Sequence, residues 1–310
     1  MPKIAFIFPG QGSQNIGMGK EFYENYSFVR DIFNQASEVL EIDIVKLCLQ
    51  GPEDKLRQTQ NTQPIVFTVS IACLEVLKRQ NISPDIVAGH SLGEYTALVA
   101  CGCLDFLDAL RLVHKRGQFM QEASQKYPGT MAAIIGLEKE KIDTILEEAR
   151  AFGIVVAANF NCPHQVVISG EISAIEKAKE LAESQGAKRV VILKVAGAFH
   201  SPLMEEAKSK LKHEIEKIQI QPPTMPIVAN VCADYLKEPE AIREALIKQI
   251  TSPVLWEASI RKMQDEGVTT FIEVGPGKVL SGLLRKISSE SLSLNVEDEQ
   301  SLKRTQDKLK

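Results

Sequence analysis

The chain has 310 residues, 44% hydrophobic and 25% charged, a composition that supports one large or two smaller globular domains without disulfides or a structural metal. A formal net charge of −4 and a pI near 5.9 argue against a nucleic-acid binder, whose surface must be basic to neutralise phosphates. No segment approaches the roughly 20 apolar residues of a membrane span, and the N-terminal apolar run breaks at Pro9-Gly10, too soon for a secretory signal. The chain reads as cytoplasmic, with neither nucleic acid nor membrane as a partner.

In chain order, residues 3–8 form a short apolar run that reads as a buried strand, and GQGSQNIGMG at 10–19 as the turn after it. Helical stretches follow to about residue 50, and 63–79 reads as a further helix. Ile86-Val87-Ala88 then forms a strand that turns at Gly89 into a helix through residue 100. Strand, helix, strand and helix in this order predict a parallel α/β sheet. Across 103–124, Phe106, Ala109, Leu110, Val113, Gly117 and Met120 recur at helical spacing and mark a buried face, with Arg116 on or beside it.

Residues 130–195 alternate as β-α-β-β-α-β, the ferredoxin-like pattern. The fold class expected is therefore α/β: an α/β-hydrolase-like parallel-sheet domain from 1–127 and 197–310, interrupted by a ferredoxin-like α+β insert at 128–196. After the insert, Ser201 is placed to cap a helix with Pro202 in its first turn. MPIVANV at 225–231 reads as a strand, 239–250 as a helix, and TTFIEVGPGK at 269–278 as a strand entering a structural turn before another helix. The polar tail from about Ser288 is expected to be loosely held. Of the six cysteines only Cys101 and Cys103 lie close in sequence, with no second pair or nearby His. Reduced, buried thiols are expected rather than a zinc site.

Gly89-His90-Ser91-Leu92-Gly93 fits G-x-S-x-G, in which small residues let strand and helix approach around an exposed Ser. Ser91-Leu92-Gly93-Glu94 also spells a capping box, so Ser91 is either a nucleophile or a helix cap. As nucleophile it would place the Leu92 N–H at a developing oxyanion. The Gly10–Gly12 loop, at the carboxyl end of its strand, is either a tight turn or the source of a second N–H, from Gln11. A serine nucleophile needs a base. Of five His residues, His200 is best placed, in a loop between a strand and a helix start. No carboxylate between Ser91 and His200 stands in a convincing strand-end loop to orient it. Arg116 on a buried face either makes a structural ion pair or forks a substrate carboxylate.

These residues together resemble the malonyl-CoA:acyl carrier protein transacylase family. The resemblance spans nearly the whole chain in order: FPGQGSQ at 8–14, TQP at 62–64, GHSLGEYTAL at 89–98, KRG at 115–117, NFN at 159–161, GAFHSPLM at 197–204 and EVGPGKVLSGL at 273–283. It implies Ser91 as nucleophile, His200 as its base, and Gln11 and Leu92 as oxyanion donors. It implies Gln249 as the residue that orients the His, Arg116 as the clamp on the malonyl carboxylate, and Phe199 as a wall against bulkier methylmalonyl groups. It further implies malonyl-CoA as substrate, phosphopantetheinylated acyl carrier protein as partner, a Ser-His dyad with ping-pong transfer in fatty-acid biosynthesis, and no metal or bound cofactor. A serine esterase or thioesterase, and a stand-alone polyketide-type acyltransferase, are the rival readings.

Overall fold

Ten strands in two sheets carry the alternating and continuous apolar runs of the chain, in a computed structural model that describes residues 3–310. Met1 and Pro2, at the head of the expected 1–127 segment, lie outside the described residues. The strands are β1 (Lys3–Phe8), β2 (Ile86–Gly89), β3 (Thr130–Ile135), β4 (Val155–Cys162), β5 (Gln165–Gly170), β6 (Arg189–Ile192), β7 (Ile227–Val228), β8 (Tyr235–Leu236), β9 (Val268–Val274) and β10 (Leu292–Val296).

The larger sheet has the order β10-β9-β1-β2-β7-β8. All its pairs are parallel except β7 with β8. Ala5, Phe6, Ile7 and Phe8 of β1 and Ile86, Val87 and Ala88 of β2 are buried on both faces, as central parallel strands require. Phe8 stands opposite Gly89. The loops after β1 and β2 therefore open side by side at the carboxyl edge, where open α/β sheets hold their sites.

The long helices Thr59–Arg79 and Phe106–Lys126 pack against each other over this sheet. A Cβ on Gly117 would lie only 2.9 Å from the Gln60 Cα. That close approach brings Arg116 of one helix to Gln63 of the other. The first helix begins at Thr59 rather than Gln63. Thr59, Thr62 and Gln63 are buried through polar contacts, which apolar periodicity does not register. The second begins after Asp105, whose carboxylate accepts from the Leu107 and Asp108 N–H groups.

The smaller sheet is antiparallel, in the order β4-β5-β3-β6. The apolar faces of the helices Lys139–Ala149 and Ile172–Ser184 pack on it in a cluster of their own. This is the ferredoxin-like arrangement. Backbone links tie β4 of this sheet to the loop that precedes the helix Trp256–Asp265: the Phe160 N–H donates to the Val254 carbonyl at 2.9 Å, and the Val254 N–H to the Ala158 carbonyl at 2.9 Å.

The tail corrects the expectation of a loosely held segment. Leu292–Val296 forms the edge strand β10, paired in parallel with β9, and Leu294 and Val296 are buried. The helix Glu299–Leu309 follows, with a capping box between Asp298 and Ser301 and with Leu302 buried. The alternation in Leu-Ser-Leu-Asn-Val carries a half-buried strand that the polar composition around it conceals. Five of the six thiols are buried and Cys232 is exposed.

Candidate active site

Ser91 occupies the turn between β2 and the helix Gly93–Ala100 with a φ of +50°, a left-handed conformation that is strained for serine. The flanking glycines are a steric requirement. A Cβ on Gly89 would lie 1.9 Å from the Gly93 carbonyl carbon, and one on Gly93 would lie 2.0 Å from the Phe8 carbonyl oxygen. Asn230, just past β7, holds the turn from outside. Its Oδ1 accepts from the Ser91 N–H at 2.7 Å and its Nδ2 donates to the Gly89 carbonyl at 2.7 Å.

The capping-box alternative does not form. The helix has no side-chain cap, and the Glu94 carboxylate accepts instead from the Gln249 Nε2 at 2.5 Å and the Asn230 N–H at 3.4 Å. Ser91 Oγ lies 2.8 Å from His200 Nε2.

The tautomer of His200 follows from its surroundings. Nδ1 faces two carbonyl oxygens, of Gln249 at 2.9 Å and of Ser252 at 3.1 Å, which only accept. Nδ1 therefore carries the proton, and Nε2 is bare to accept from Ser91. Two backbone carbonyls thus take the orienting place of a triad carboxylate. Gln249 acts on the His through its backbone rather than its side chain. His200 is 4% exposed. Burial first, and then the Arg116 charge, push its pKa down to about 3, so the imidazole is neutral at ordinary pH.

Arg116 completes the cluster at 1% exposure. Nη1 donates to Gln63 Oε1 at 2.8 Å, and Nη2 donates to Gln249 Oε1 at 3.0 Å and to Ser91 Oγ at 3.1 Å. Among the described residues, no carboxylate lies within ion-pair distance of it, and its Nε has no partner. The structural ion-pair reading is therefore not what this residue makes. A buried guanidinium held by neutral oxygens, with a spare N–H, is poised to take an anion.

Gln11, Ser91, Arg116, Phe199 and His200 share the wall of a cavity of roughly 100 Å³ with Met120, Met131 and Val195, among others. The Gln11 loop leaves β1 beside the Ser91 turn, and Leu92 stands at the start of the helix Gly93–Ala100, where the helix dipole favours negative charge. Among the described residues neither the Gln11 nor the Leu92 N–H has a protein acceptor. All seven residues singled out from sequence thus meet at one end of the sheet. A larger cleft of about 680 Å³, lined by Lys3, Asp85 and Tyr235, opens at the amino end of β1 and β2, away from these groups.

The remaining His residues lie outside this cluster or serve its frame. His90 turns away to Asn161 Oδ1 at 2.9 Å and stacks edge-on to Trp256, while His164 and His213 are exposed. Sequence reasoning missed the roles of Asn230, Gln63, Ser252 and Glu94. Gln63, within TQP, and Glu94, within GHSLGEYTAL, lay in segments that carry the resemblance.

Comparison with known proteins assigns the chain to a family. The acyl transferase domain family matches residues 5–306. A malonyl CoA-acyl carrier protein transacylase of Bacillus subtilis (strain 168) is 48% identical over 303 residues, 97% of this chain and 96% of that protein. Among solved structures, a malonyl CoA-acyl carrier protein transacylase from Clostridium perfringens superposes with a TM-score of 0.95 at 42% identity, covering 99% of this chain and 97% of that one. A malonyl-transacylase in complex with its type II PKS acyl-carrier protein gives a TM-score of 0.96 at 40% identity, over 99% of both chains. With identity and fold shared over nearly the whole length, the chain belongs to the acyl transferase domain family and, within it, to the malonyl CoA-acyl carrier protein transacylases.

Proposed function

We propose that this chain transfers the malonyl group from malonyl-CoA to the phosphopantetheine thiol of acyl carrier protein, through a malonyl ester on Ser91. The observation that carries this reading is the position of Ser91 Oγ, 2.8 Å from a bare His200 Nε2 and 3.1 Å from the buried Arg116 Nη2. A nucleophile, its base and a cation for a charged acyl group thus converge on one oxygen.

In the first half-reaction Ser91 gives its proton to His200 Nε2 as Oγ attacks the thioester carbonyl. The oxyanion forms between the Gln11 and Leu92 N–H groups. The carbon–sulfur bond breaks, and the CoA sulfur leaves with the proton from His200. In the second half the phosphopantetheine thiol gives its proton to His200 and attacks the ester, and Ser91 leaves with that proton. Both halves balance through Ser91 and His200 alone, so no metal or bound cofactor belongs to the reading. The malonyl carboxylate takes the spare Arg116 Nε–H together with the Nη2 N–H that Ser91 Oγ accepts in the free chain and gives up on acylation. Phe199 limits the room beside it.

The same proposal places the catalytic domain at 1–127 and 197–310, with 128–196 as the insert that closes the acyl pocket through Met131. The separate sheet and apolar cluster of that segment support this division. Fatty-acid synthesis in the cytoplasm is the setting proposed. No helix among the described residues is long and apolar enough to cross a membrane.

The test is an assay with malonyl-CoA, with and without phosphopantetheinylated carriers of the fatty-acid and polyketide types. Carrier-dependent malonyl transfer exceeding malonate release is expected. Malonate release at the same rate with and without carrier would make the chain a thioesterase instead.

A further inference from the structure

We propose that Glu94 is a positioning residue for substrate recognition: its carboxylate fixes which way the Gln249 amide points, and the amide in turn holds the Arg116 guanidinium at Ser91. The proposal rests on the reading of Ser91 as nucleophile and Arg116 as carboxylate clamp.

Glu94 is 3% exposed, Gln249 wholly buried, and among the described residues no cation lies within ion-pair distance of Glu94. A buried carboxylate without a paired charge is costly to keep, and its hydrogen bonds offset that cost. Gln249 has two N–H donors on Nε2 and one acceptor, Oε1. One donor goes to Glu94 Oε2 at 2.5 Å and the other to the Ser91 carbonyl at 2.9 Å, while Oε1 accepts from Arg116 Nη2 at 3.0 Å. Both N–H donors and the oxygen of the amide are engaged in this orientation.

The reverse orientation would set the amide oxygen against both the Glu94 oxygen and the Ser91 carbonyl, and an NH₂ group against the guanidinium, three repulsive contacts in a buried place. Glu94, with the Ser91 carbonyl beside it, therefore selects the orientation that offers oxygen to Arg116. Only then is Nη2 held beside Ser91 Oγ, where the carboxylate of a bound acyl group has to be met. The second Glu94 oxygen accepts from the Asn230 N–H, and Asn230 also holds the Ser91 turn. One acidic side chain thus ties the clamp and the nucleophile to the same frame. This role asks for an acceptor oxygen rather than a charge. Glutamine supplies one, and an apolar side chain of similar length does not.

The experiment compares E94Q, E94M and R116A in the full chain, with kcat and KM measured for malonyl-CoA and acetyl-CoA and thermal unfolding as a check of folding. E94L replaces E94M should the latter not fold. The apolar variant is expected to lower the malonyl-over-acetyl ratio of kcat/KM by about tenfold or more, the scale of a lost hydrogen bond to a charged group. Most of that loss falls in KM for malonyl-CoA, and E94Q recovers most of it. An apolar variant that keeps the wild-type ratio, while R116A loses it, overturns the role of Glu94. So does an E94Q variant as impaired as E94M, which would make the charge the operative property. If R116A keeps the ratio, the clamp reading itself fails, whatever the Glu94 variants do.

Discussion

Replacing Arg116 by alanine removes, among the described residues, the one cation that lines the cavity at Ser91. Its guanidinium is 1% exposed and donates to Gln63, Gln249 and Ser91. A carboxylate about 4 Å from it, at an effective dielectric constant of about 20, is attracted by about 4 kcal/mol. Truncating one partner of a desolvated charge pair costs ~2–5 kcal/mol. At ~1.4 kcal/mol per factor of ten, kcat/KM for malonyl-CoA falls by roughly 30-fold to several thousandfold. An acetyl group has no carboxylate to lose this contact, so the malonyl-over-acetyl ratio falls by nearly the same factor. The substitution also leaves the Gln63 and Gln249 oxygens without a donor, at about 1–3 kcal/mol of stability each. The assay therefore runs well below the unfolding temperature of the variant, with steady-state transfer from both thioesters to one carrier protein. A malonyl-over-acetyl ratio unchanged from wild type refutes the clamp.

Asn230→Ala unties the Ser91 N–H and the Gly89 carbonyl from their common partner, and is expected to lower kcat by about tenfold or more, as a buried unsatisfied group costs about 1–3 kcal/mol; stopped-flow acylation reads it. Leu302→Ala, 4% exposed on the last helix, is expected to destabilise the fold by about 2–5 kcal/mol in denaturant unfolding, whereas a loosely held tail would show no change. Burial raises the Glu94 pKa from 4.5 to about 7, so the folded chain holds a proton that the unfolded chain releases above about 4.5. The stability this group contributes is full below that pH and is lost as pH rises toward 7. Unfolding midpoints of wild type minus E94Q should therefore fall across this window, and a pH-independent difference would contradict the shift. His200 acts with the opposite sign, since its pKa is depressed from 6.5 to about 3: its contribution is present above about 6.5 and lost as pH falls toward 3.

The elements legible in the sequence are those whose signal is local. Continuous apolar runs placed β1 and β2, period-two and period-3.6 patterns placed the strands and helices of the smaller sheet, and glycines two before and two after Ser91 marked a turn too tight for any Cβ. What escaped depends on contacts distant in sequence. Asn230 lies 139 residues from the Ser91 N–H it accepts, and no periodicity announces such a bond. Ser252 acts on His200 through a carbonyl, which every residue carries. Glu94 fitted a local capping motif, but burial beside Gln249 gave its carboxylate a stronger, distant partner. In the tail, polar side chains on the exposed faces of β10 and the last helix outnumbered the few apolar ones that anchor them.

The most direct test mixes the purified chain with malonyl-CoA in the absence of carrier and locates the modification by peptide mass spectrometry, followed by a chase with phosphopantetheinylated acyl carrier protein. One malonyl group on the peptide containing Ser91, absent from S91A and discharged onto the carrier thiol, is the predicted result. A folded wild-type chain that carries no adduct, or one that carries it elsewhere, contradicts transfer through Ser91.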